Sequence, residues 1–183
     1  MIRKIDFFLA LISLIFFFPF FIIIFFVSYI ETQSPIFIQK RLGKNMKIFN
    51  LFKFRTMKID TLSVGSHLVD KNSITKLGVF LRFTKLDETP QLWNVLIGDM
   101  SLVGPRPCLP NQLKLIFERK KNNIFNVLPG ITGLSQINGI DMSLPRLQAD
   151  TDLVMIKKMN IFFYIYILLM TLVRLFYRKH KNK

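Results

Sequence analysis

The longest apolar segment of the chain lies at its N-terminus. From Phe7 to Ile30 there are 24 residues without a charge, and only Ser13, Pro19 and Ser28 interrupt the apolar run. A helix of that length measures about 36 Å, compared with about 30 Å for the hydrocarbon core of a bilayer. The pattern therefore predicts a membrane-embedded helix.

Three interpretations of this segment compete. A cleaved signal peptide is disfavoured because the run is long, contains Pro19 and is followed by no small-x-small cleavage site. A simple span and a re-entrant helical hairpin both remain open, because basic residues on both flanks leave the positive-inside rule without a preferred orientation. Pro19 removes the amide that would bond to the carbonyl of Ile15, so a bend is predicted near the middle of the segment.

The rest of the chain carries shorter patterns. Residues 36–57 predict a β-hairpin, with turn residues at Gly43, Lys44 and Asn45 and an aromatic-rich second strand. The polar residues 60–73 predict a loop. The remaining predicted elements are short helices over 77–83, 90–97, 110–122 and 145–155, and glycine-punctuated turns and extended pieces over 127–140.

The last apolar run covers residues 159–173 and precedes a basic tail. As a helix it would be about 22 Å long, too short to span a bilayer comfortably. We therefore interpret it as an interfacial or core-packing helix. Taken together, the elements predict an α+β fold that is mainly helical around a short β-hairpin.

Composition narrows the class of protein. The 183 residues include one cysteine, 51% hydrophobic residues and a formal charge of +15. One thiol excludes a disulfide-stapled secreted scaffold, and the apolar fraction excludes a disordered basic tail. High hydrophobicity with high positive charge suggests an anionic partner: membrane phospholipid, nucleic acid or a phosphate-rich substrate.

Between Thr32 and Lys58 there are seven basic residues and no acidic one. Most of them fit a solvated face near anionic lipid headgroups. The sharper interpretation is that Lys53 or Arg55 faces a bound phosphate.

The segment with the clearest chemistry contains two adjacent carboxylates, Asp87 and Glu88, here called the acidic pair. Arg82 and Lys85 lie close by in sequence, and nearby cations keep a carboxylate ionised. We expect Thr89 to cap a helix that begins at Pro90, which would place the pair just before a helix N-terminus. An ionised carboxylate there can attack phosphorus or hold Mg²⁺, although such a pair is also common at helix starts.

A rigid arginine follows the acidic pair. Pro105 and Pro107 fix the backbone on both sides of Arg106, so its guanidinium is presented with little entropy to lose. A planar guanidinium suits bidentate contact with phosphate.

Three ordered blocks resemble the bacterial sugar transferase family, the small monotopic phosphoglycosyl transferases. The blocks are FRTM (54–57), RFTKLDETPQLWNVLIGDMSLVGPRP (82–107) and LPGITGLSQINGI (128–140). The resemblance implies that Asp87 attacks the β-phosphate of a UDP-sugar, releases UMP and holds the sugar phosphate covalently. Undecaprenyl phosphate would then accept the sugar phosphate in a second step.

The same resemblance implies roles for the neighbouring groups. Mg²⁺ would neutralise the diphosphate, with Asp87 and Glu88 as candidate ligands. Glu88 would serve as a metal ligand or as a proton acceptor. Arg82 and Arg106 would bind phosphate.

The resemblance also implies an organisation and a location. Residues 1–31 would form a re-entrant helix-break-helix, residues 32–158 a catalytic domain, and residues 159–183 an apolar helix and basic tail packed with that domain. The chain would lie at the cytoplasmic face of the bacterial inner membrane, near anionic lipids and other glycan-assembly enzymes. Departures from the family pattern are Phe18 before Pro19, where serine is usual, Thr89 after the acidic pair, and Tyr164 where the family often has Asp.

Two alternatives come from other classes. One is a non-catalytic, basic membrane-surface protein that recruits glycan enzymes. The other is a nucleic-acid-binding protein, which the long apolar segment and the lack of a recognisable nucleic-acid motif disfavour.

Overall fold

The structure is a computed structural model that describes residues 1–59, 61 and 73–181, with the backbone alone from residue 176 onward. Except for residues 61 and 73, the predicted loop over 60–73 lies outside the described residues. The side chains of the basic tail also lie outside them.

The described chain is mainly helical, with one short antiparallel hairpin, as predicted. The helices are α1 (Ile2–Thr32), α2 (Lys76–Thr84), α3 (Gln91–Ile97), α4 (Leu113–Lys121), α5 (Leu134–Ile137), α6 (Pro145–Lys158) and α7 (Ile161–Lys181). The strands are β1 (Ile36–Leu42), β2 (Ile48–Phe54), β3 (Ser101–Val103) and β4 (Gly130–Thr132).

The hairpin pairs β1 with β2 in the register Ile36 opposite Phe54 and Leu42 opposite Ile48. Phe49, Leu51 and Phe54 are buried while most of their neighbours are not. This near-alternation fixes the register, because a slip of one residue would expose the buried set. It also fixes which strand residues face the rest of the protein.

Helix α1 is long and apolar enough to cross a membrane. It continues as one helix through Pro19, so the predicted division into two helices is not seen. Proline removes one backbone bond, and the bonds on either side can keep the helix continuous. Phe18, directly before Pro19, has no hydroxyl to cap the freed carbonyl.

One face of α1 packs on the rest of the protein along much of its length. Its buried residues are Asp6, Ala10, Ile24, Ser28 and Thr32. Leu14 and Phe21 are partly buried and pack against the same core that contains Ala10. The Phe21 ring also lies 5.9 Å from the Phe54 ring of β2. The opposite face of α1 is apolar and exposed, as expected for a helix with one face on protein and the other in lipid.

The N-terminal end of α1 is bonded to the core. Arg3 donates to the carbonyls of Val95 and Leu96 at the end of α3. The buried Asp6 carboxylate accepts from the Ser101 hydroxyl (2.8 Å), the Leu102 amide (2.8 Å) and the Tyr164 hydroxyl (2.7 Å). Asp6 therefore joins α1, β3 and α7 at one point.

A second small sheet was not predicted. β3 and β4 pair in parallel, Ser101 opposite Gly130 and Val103 opposite Thr132. A side chain on Gly130 would collide with the backbone of Gly104, and one on Gly104 would come within 2.6 Å of the Leu128 carbonyl. Both glycines are therefore needed for the two backbone segments to approach this closely. The approach fixes the position of Gly104, and with it the start of the Gly104–Pro107 segment.

Breaking the Asp6 junction should destabilise the fold. Asp6→Ala would leave three donors of the junction without their acceptor, and we expect a loss of about 3 kcal/mol in the free energy of unfolding. Tyr164→Phe removes one donor and should cost about 1 kcal/mol. Thermal unfolding in one mild detergent measures both, with Asp150→Ala as the control because Asp150 is exposed. Equal melting temperatures for Asp6→Ala and the control would contradict this.

Candidate active site

The acidic pair lies on a tight turn between two helices. α2 ends at Thr84, Lys85 adopts a left-handed conformation (φ 62°), and Leu86–Glu88 form one turn of 3-10 helix. The pair therefore precedes α3, as predicted. The predicted cap is wrong: the Thr89 hydroxyl donates to the Leu86 carbonyl at 2.6 Å, and Pro90 holds the capping position without a side-chain bond.

Glu88 is bonded to two cations at one oxygen. Lys53 Nζ lies 3.0 Å and an Arg106 guanidinium nitrogen 2.8 Å from Glu88 Oε1. Burial by itself would raise the pKa of Glu88, but the charges of Arg106, Lys53 and Lys85 hold it well below its usual range. Glu88 is therefore ionised and a weak base at neutral pH.

Asp87 has a contrasting environment. Its carboxylate is buried, and Oδ1 has no hydrogen-bond partner among the described residues. Burial, and then the negative charge of Glu88, raise the pKa of Asp87, against the opposing charges of Lys53, Lys85 and Arg82. The two adjacent carboxylates therefore differ: Glu88 is fixed by cations, whereas Asp87 has an unbonded oxygen and a higher pKa.

Arg106 is bonded through its backbone as well as through its side chain. The carbonyl of Arg106 accepts from Arg119 at 2.7 Å, and Arg119 also pairs with Asp152 at 2.6 Å. Both members of this ion pair are almost fully buried, and Ser135 donates to the other Asp152 oxygen. Breaking a buried ion pair is costly, so Asp152 holds Arg119 in place. The bond from Arg119 to the Arg106 carbonyl therefore fixes the backbone at Arg106. No local sequence pattern predicts this ion pair, because Arg119 lies on α4 and Asp152 on α6.

Arg41 is a further basic residue that the sequence analysis did not select. It donates to the Pro107 carbonyl at 3.0 Å and to the Gln39 side chain. Burial, and then the charge of Arg106, lower the pKa of Arg41 to about 10. Arg41 lies on β1 opposite Phe49 of β2. Side chains alternate along a strand, so the sequence could have placed Arg41 on the same face as Gln39 but could not have placed it next to Pro107.

The predicted phosphate-binding residues divide into two groups. Lys53 and Arg106 meet at Glu88, and Arg82 lies close enough to lower the pKa of Asp87 while donating to the Thr56 hydroxyl at 2.8 Å. Arg55 is directed elsewhere: it donates to Ser34 and lies over the Phe37 ring. Its role as a phosphate ligand stays a prediction.

The residues fit Mg²⁺ bound mainly by substrate. No group of three or more His, Cys, Asp or Glu side chains suited to a metal occurs within the described part of the chain. Mg²⁺ commonly uses only one or two carboxylates together with substrate phosphates and water. The unbonded Asp87 Oδ1 is an available oxygen ligand, whereas Glu88 Oε1 is already bonded to two cations.

A cavity of about 750 Å³ adjoins this site. Lys85, Glu88 and Arg106 form a charged part of its wall, and Ile131 and Thr132 contribute from β4. The rest of the wall is mainly apolar. About half of it comes from α1 and α7, after which we name it the α1–α7 cavity, and most of the other residues lie in or just after α5. Gln136 also lines it, with Oε1 buried and without a partner among the described side chains.

Comparisons with known proteins agree with the sequence blocks. The sequence model described as bacterial sugar transferase matches residues 1–178. The chain is 46% identical over 121 residues to the uncharacterized sugar transferase EpsL of Bacillus subtilis (strain 168), covering 64% of this chain and 59% of that protein. It is 41% identical over 133 residues to a putative undecaprenyl-phosphate N-acetylgalactosaminyl 1-phosphate transferase of the same strain, covering 71% of this chain and 70% of that protein.

A longer relative matches over part of its length. The UDP-glucose:undecaprenyl-phosphate glucose-1-phosphate transferase of Xanthomonas campestris pv. campestris is 37% identical over 161 residues. That match covers 81% of this chain and 33% of the relative. The chain thus spans 59% of EpsL and about a third of the Xanthomonas protein.

The environment of the acidic pair predicts a measurable coupling. Glu88→Gln removes the negative charge next to Asp87 and frees the charges of Lys53 and Arg106, so the pKa of Asp87 should fall. Asp87 would then ionise at lower pH than in the unaltered protein. Carboxyl ¹³C NMR titration of aspartate-labelled protein measures this, with Asp87→Asn to assign the signal. An unchanged or higher pKa of Asp87 in Glu88→Gln would show that Glu88 does not control it.

Proposed function

Because the chain belongs to the bacterial sugar transferase family, we propose that it transfers a sugar phosphate from a UDP-sugar to undecaprenyl phosphate and releases UMP. The observation that carries this proposal is the division of the acidic pair. Glu88 is fixed between Lys53 and Arg106, while Asp87 keeps an unbonded oxygen and a raised pKa. Such a pair supplies one nucleophile and one fixed charge.

In the first step, an ionised Asp87 oxygen attacks the β-phosphorus of the UDP-sugar. A bond forms between this oxygen and phosphorus, and the bond from phosphorus to the bridging oxygen breaks. The electron pair leaves with that oxygen on UMP. The product is an Asp87 acyl phosphate that carries the sugar.

In the second step, a phosphate oxygen of undecaprenyl phosphate attacks the same phosphorus. The bond from phosphorus to the Asp87 oxygen breaks, which restores the carboxylate and gives the diphosphate-linked sugar. Both steps develop negative charge on phosphate oxygens. Lys53, Arg82 and Arg106 are the residues that we assign to bind that charge.

The surroundings of Glu88 support a role other than the two predicted ones, metal ligand and proton acceptor, because Oε1 is already bonded to Lys53 and Arg106. A carboxylate bonded to two cations is a poor proton acceptor at neutral pH. We therefore assign Glu88 the task of positioning Lys53 and Arg106. Asp87 Oδ1 would contribute to binding Mg²⁺, which when bound supplies charge neutralisation of the diphosphate.

We propose that α1 is re-entrant and that its two ends lie on the cytoplasmic side of the membrane. Arg3 and Asp6 bond its N-terminal end to α3 and β3, while Phe21 and Thr32 pack nearer its C-terminal end. At about 46 Å, α1 could span a bilayer only if its ends lay on opposite sides. Both ends of α1 contact the part of the chain that follows it, which favours placing both ends on one side of the membrane.

Labelling tests this placement. Lys4→Cys and Lys40→Cys introduce exposed thiols at the start of α1 and on β1, while the native Cys108 is buried. We expect a membrane-impermeant maleimide to label both positions in inside-out vesicles and neither in right-side-out vesicles. Labelling of Lys4→Cys from the opposite side to Lys40→Cys would establish a simple span.

Nucleotide release tests the reaction. Purified protein in lipid, supplied with Mg²⁺, undecaprenyl phosphate and a panel of UDP-sugars, should release UMP, and the active donor would identify the sugar. Asp87→Asn removes the nucleophile and should lower UMP release by roughly a thousandfold or more. Asp150→Asn, on the exposed face of α6, is the matched control and should keep full activity.

Other outcomes separate the alternatives. Release of UDP would mean ordinary glycosyl transfer and would reject the covalent mechanism. If neither nucleotide is released by folded protein across a broad donor panel, the recruitment role at the membrane surface gains support.

A further inference from the structure

The α1–α7 cavity has walls that the proposed chemistry at phosphorus does not use. α1 contributes Leu9, Ser13 and Phe17, which recur every four residues and so share one helix face. α7 contributes Leu168, Leu172 and Leu175 from one face, together with the polar Thr171 and Arg174. Two mainly apolar helix stripes therefore line one cavity, which also contains Glu88 and Arg106.

The cavity opens between two helices whose outer faces are apolar. Leu9 and Leu172 line it and are also 38% and 53% exposed, which places them at its opening. Outside the opening, α1 exposes Phe8, Ile12 and Phe16, and α7 exposes Ile165 and Leu169. Apolar surfaces of this kind on both sides of an opening indicate that it faces lipid.

The apolar stripes and the charged wall belong to one continuous space. Lys85, Arg106 and Arg174 are the positive residues of the wall, and Glu88 and Asp141 are the negative ones. Glu88 is already paired with Lys53 and Arg106, so the wall has a net positive charge. A ligand that fits both parts has an anionic head and an apolar tail. A nucleotide sugar has no extended apolar chain and would leave most of the leucine faces of α1 and α7 without an apolar partner.

We infer that the α1–α7 cavity binds the first isoprene units of the acceptor lipid, which enters from the bilayer between α1 and α7. This inference rests on the proposed function for the identity of the lipid. The volume suits a ligand of modest size, so the rest of the long chain stays in the membrane. The hydroxyls of Thr132 and Thr171 are hydrogen-bonded to each other at 2.7 Å. An apolar ligand beside them would therefore not leave these hydroxyls without a partner.

Position 172 has a matched control on the same helix. Leu172 lines the cavity, whereas Leu169 is similarly exposed, at 57%, and does not line it. A benzoyl-phenylalanine placed at either position reports which lipids are in contact with it. The protein is placed in nanodiscs that contain phospholipid and a small fraction of undecaprenyl phosphate, then irradiated, and the adducts are identified by mass spectrometry.

We expect adducts at position 172 to be enriched in undecaprenyl phosphate over its fraction in the nanodisc by about tenfold. Adducts at position 169 should follow the lipid composition. Equal composition at the two positions would overturn the inference. This readout needs no turnover, so it can succeed or fail independently of the proposed reaction.

Kinetics give a second, separate test. Leu172→Trp narrows the opening and should lower kcat/KM for undecaprenyl phosphate by about tenfold, the scale of losing one small apolar contact region. The value of kcat/KM for geranyl phosphate, whose two isoprene units would occupy the same cavity, should fall as well. The single-turnover UMP release measured without acceptor should stay unchanged. Leu169→Trp should change none of these quantities.

The outcomes separate the two proposals. Slower UMP release by Leu172→Trp without acceptor would assign the cavity to the donor and overturn the inference. Unchanged kcat/KM for both acceptors in Leu172→Trp would also overturn it. Absence of UMP release from the unaltered protein, with enrichment at position 172, would reject the proposed reaction while the lipid site stands.

Discussion

The bonds from Lys53 and Arg106 to one oxygen of Glu88 are the contacts on which the site depends. A buried carboxylate is stable only when cations and hydrogen bonds compensate for lost water, and removal of one partner leaves an uncompensated charge. Lys53 comes from β2, Arg106 from the segment after β3, and Glu88 from the turn before α3. The hairpin, the small parallel sheet and this turn must therefore all be in place for the pair to form. The same arrangement leaves Asp87 with an unshared oxygen.

Helix α1 contributes to the core of the fold and also carries an exposed apolar face. Ala10 belongs to the same core cluster as Leu51 of the hairpin and Val95 of α3. Asp6 reaches β3 directly before the segment that carries Arg106. The position of α1 and the geometry around Arg106 are therefore linked through a few short contacts. Arg3, one of the basic residues that precede the apolar run, contributes to this link because it donates to the carbonyls of Val95 and Leu96 near the end of α3.

Several elements followed from local pattern, and several did not. The hairpin was predictable because alternation and turn residues act over a few positions, and α2 lies within one residue of its predicted bounds. The helix predicted over 110–122 begins later, at Leu113, and its buried face includes Arg119, a charged residue that pattern analysis excludes from a core. Arg119 is buried because Asp152, 33 residues away, neutralises it. The pairing of β3 with β4 was missed because three-residue strands carry too little pattern.

The sequence by itself determined the local chemistry: an apolar helix long enough for a membrane, an acidic pair before a helix, an arginine fixed between two prolines, and three blocks that identify the family. Those features depend on neighbours along the chain. The tertiary structure decided which of the two carboxylates is fixed by cations, which basic residues reach the pair, and that Arg55 does not. It also placed α7 opposite α1 to enclose a cavity. The physical reason is that charge pairing, desolvation and enclosure depend on distances between residues far apart in sequence, and only packing sets those distances.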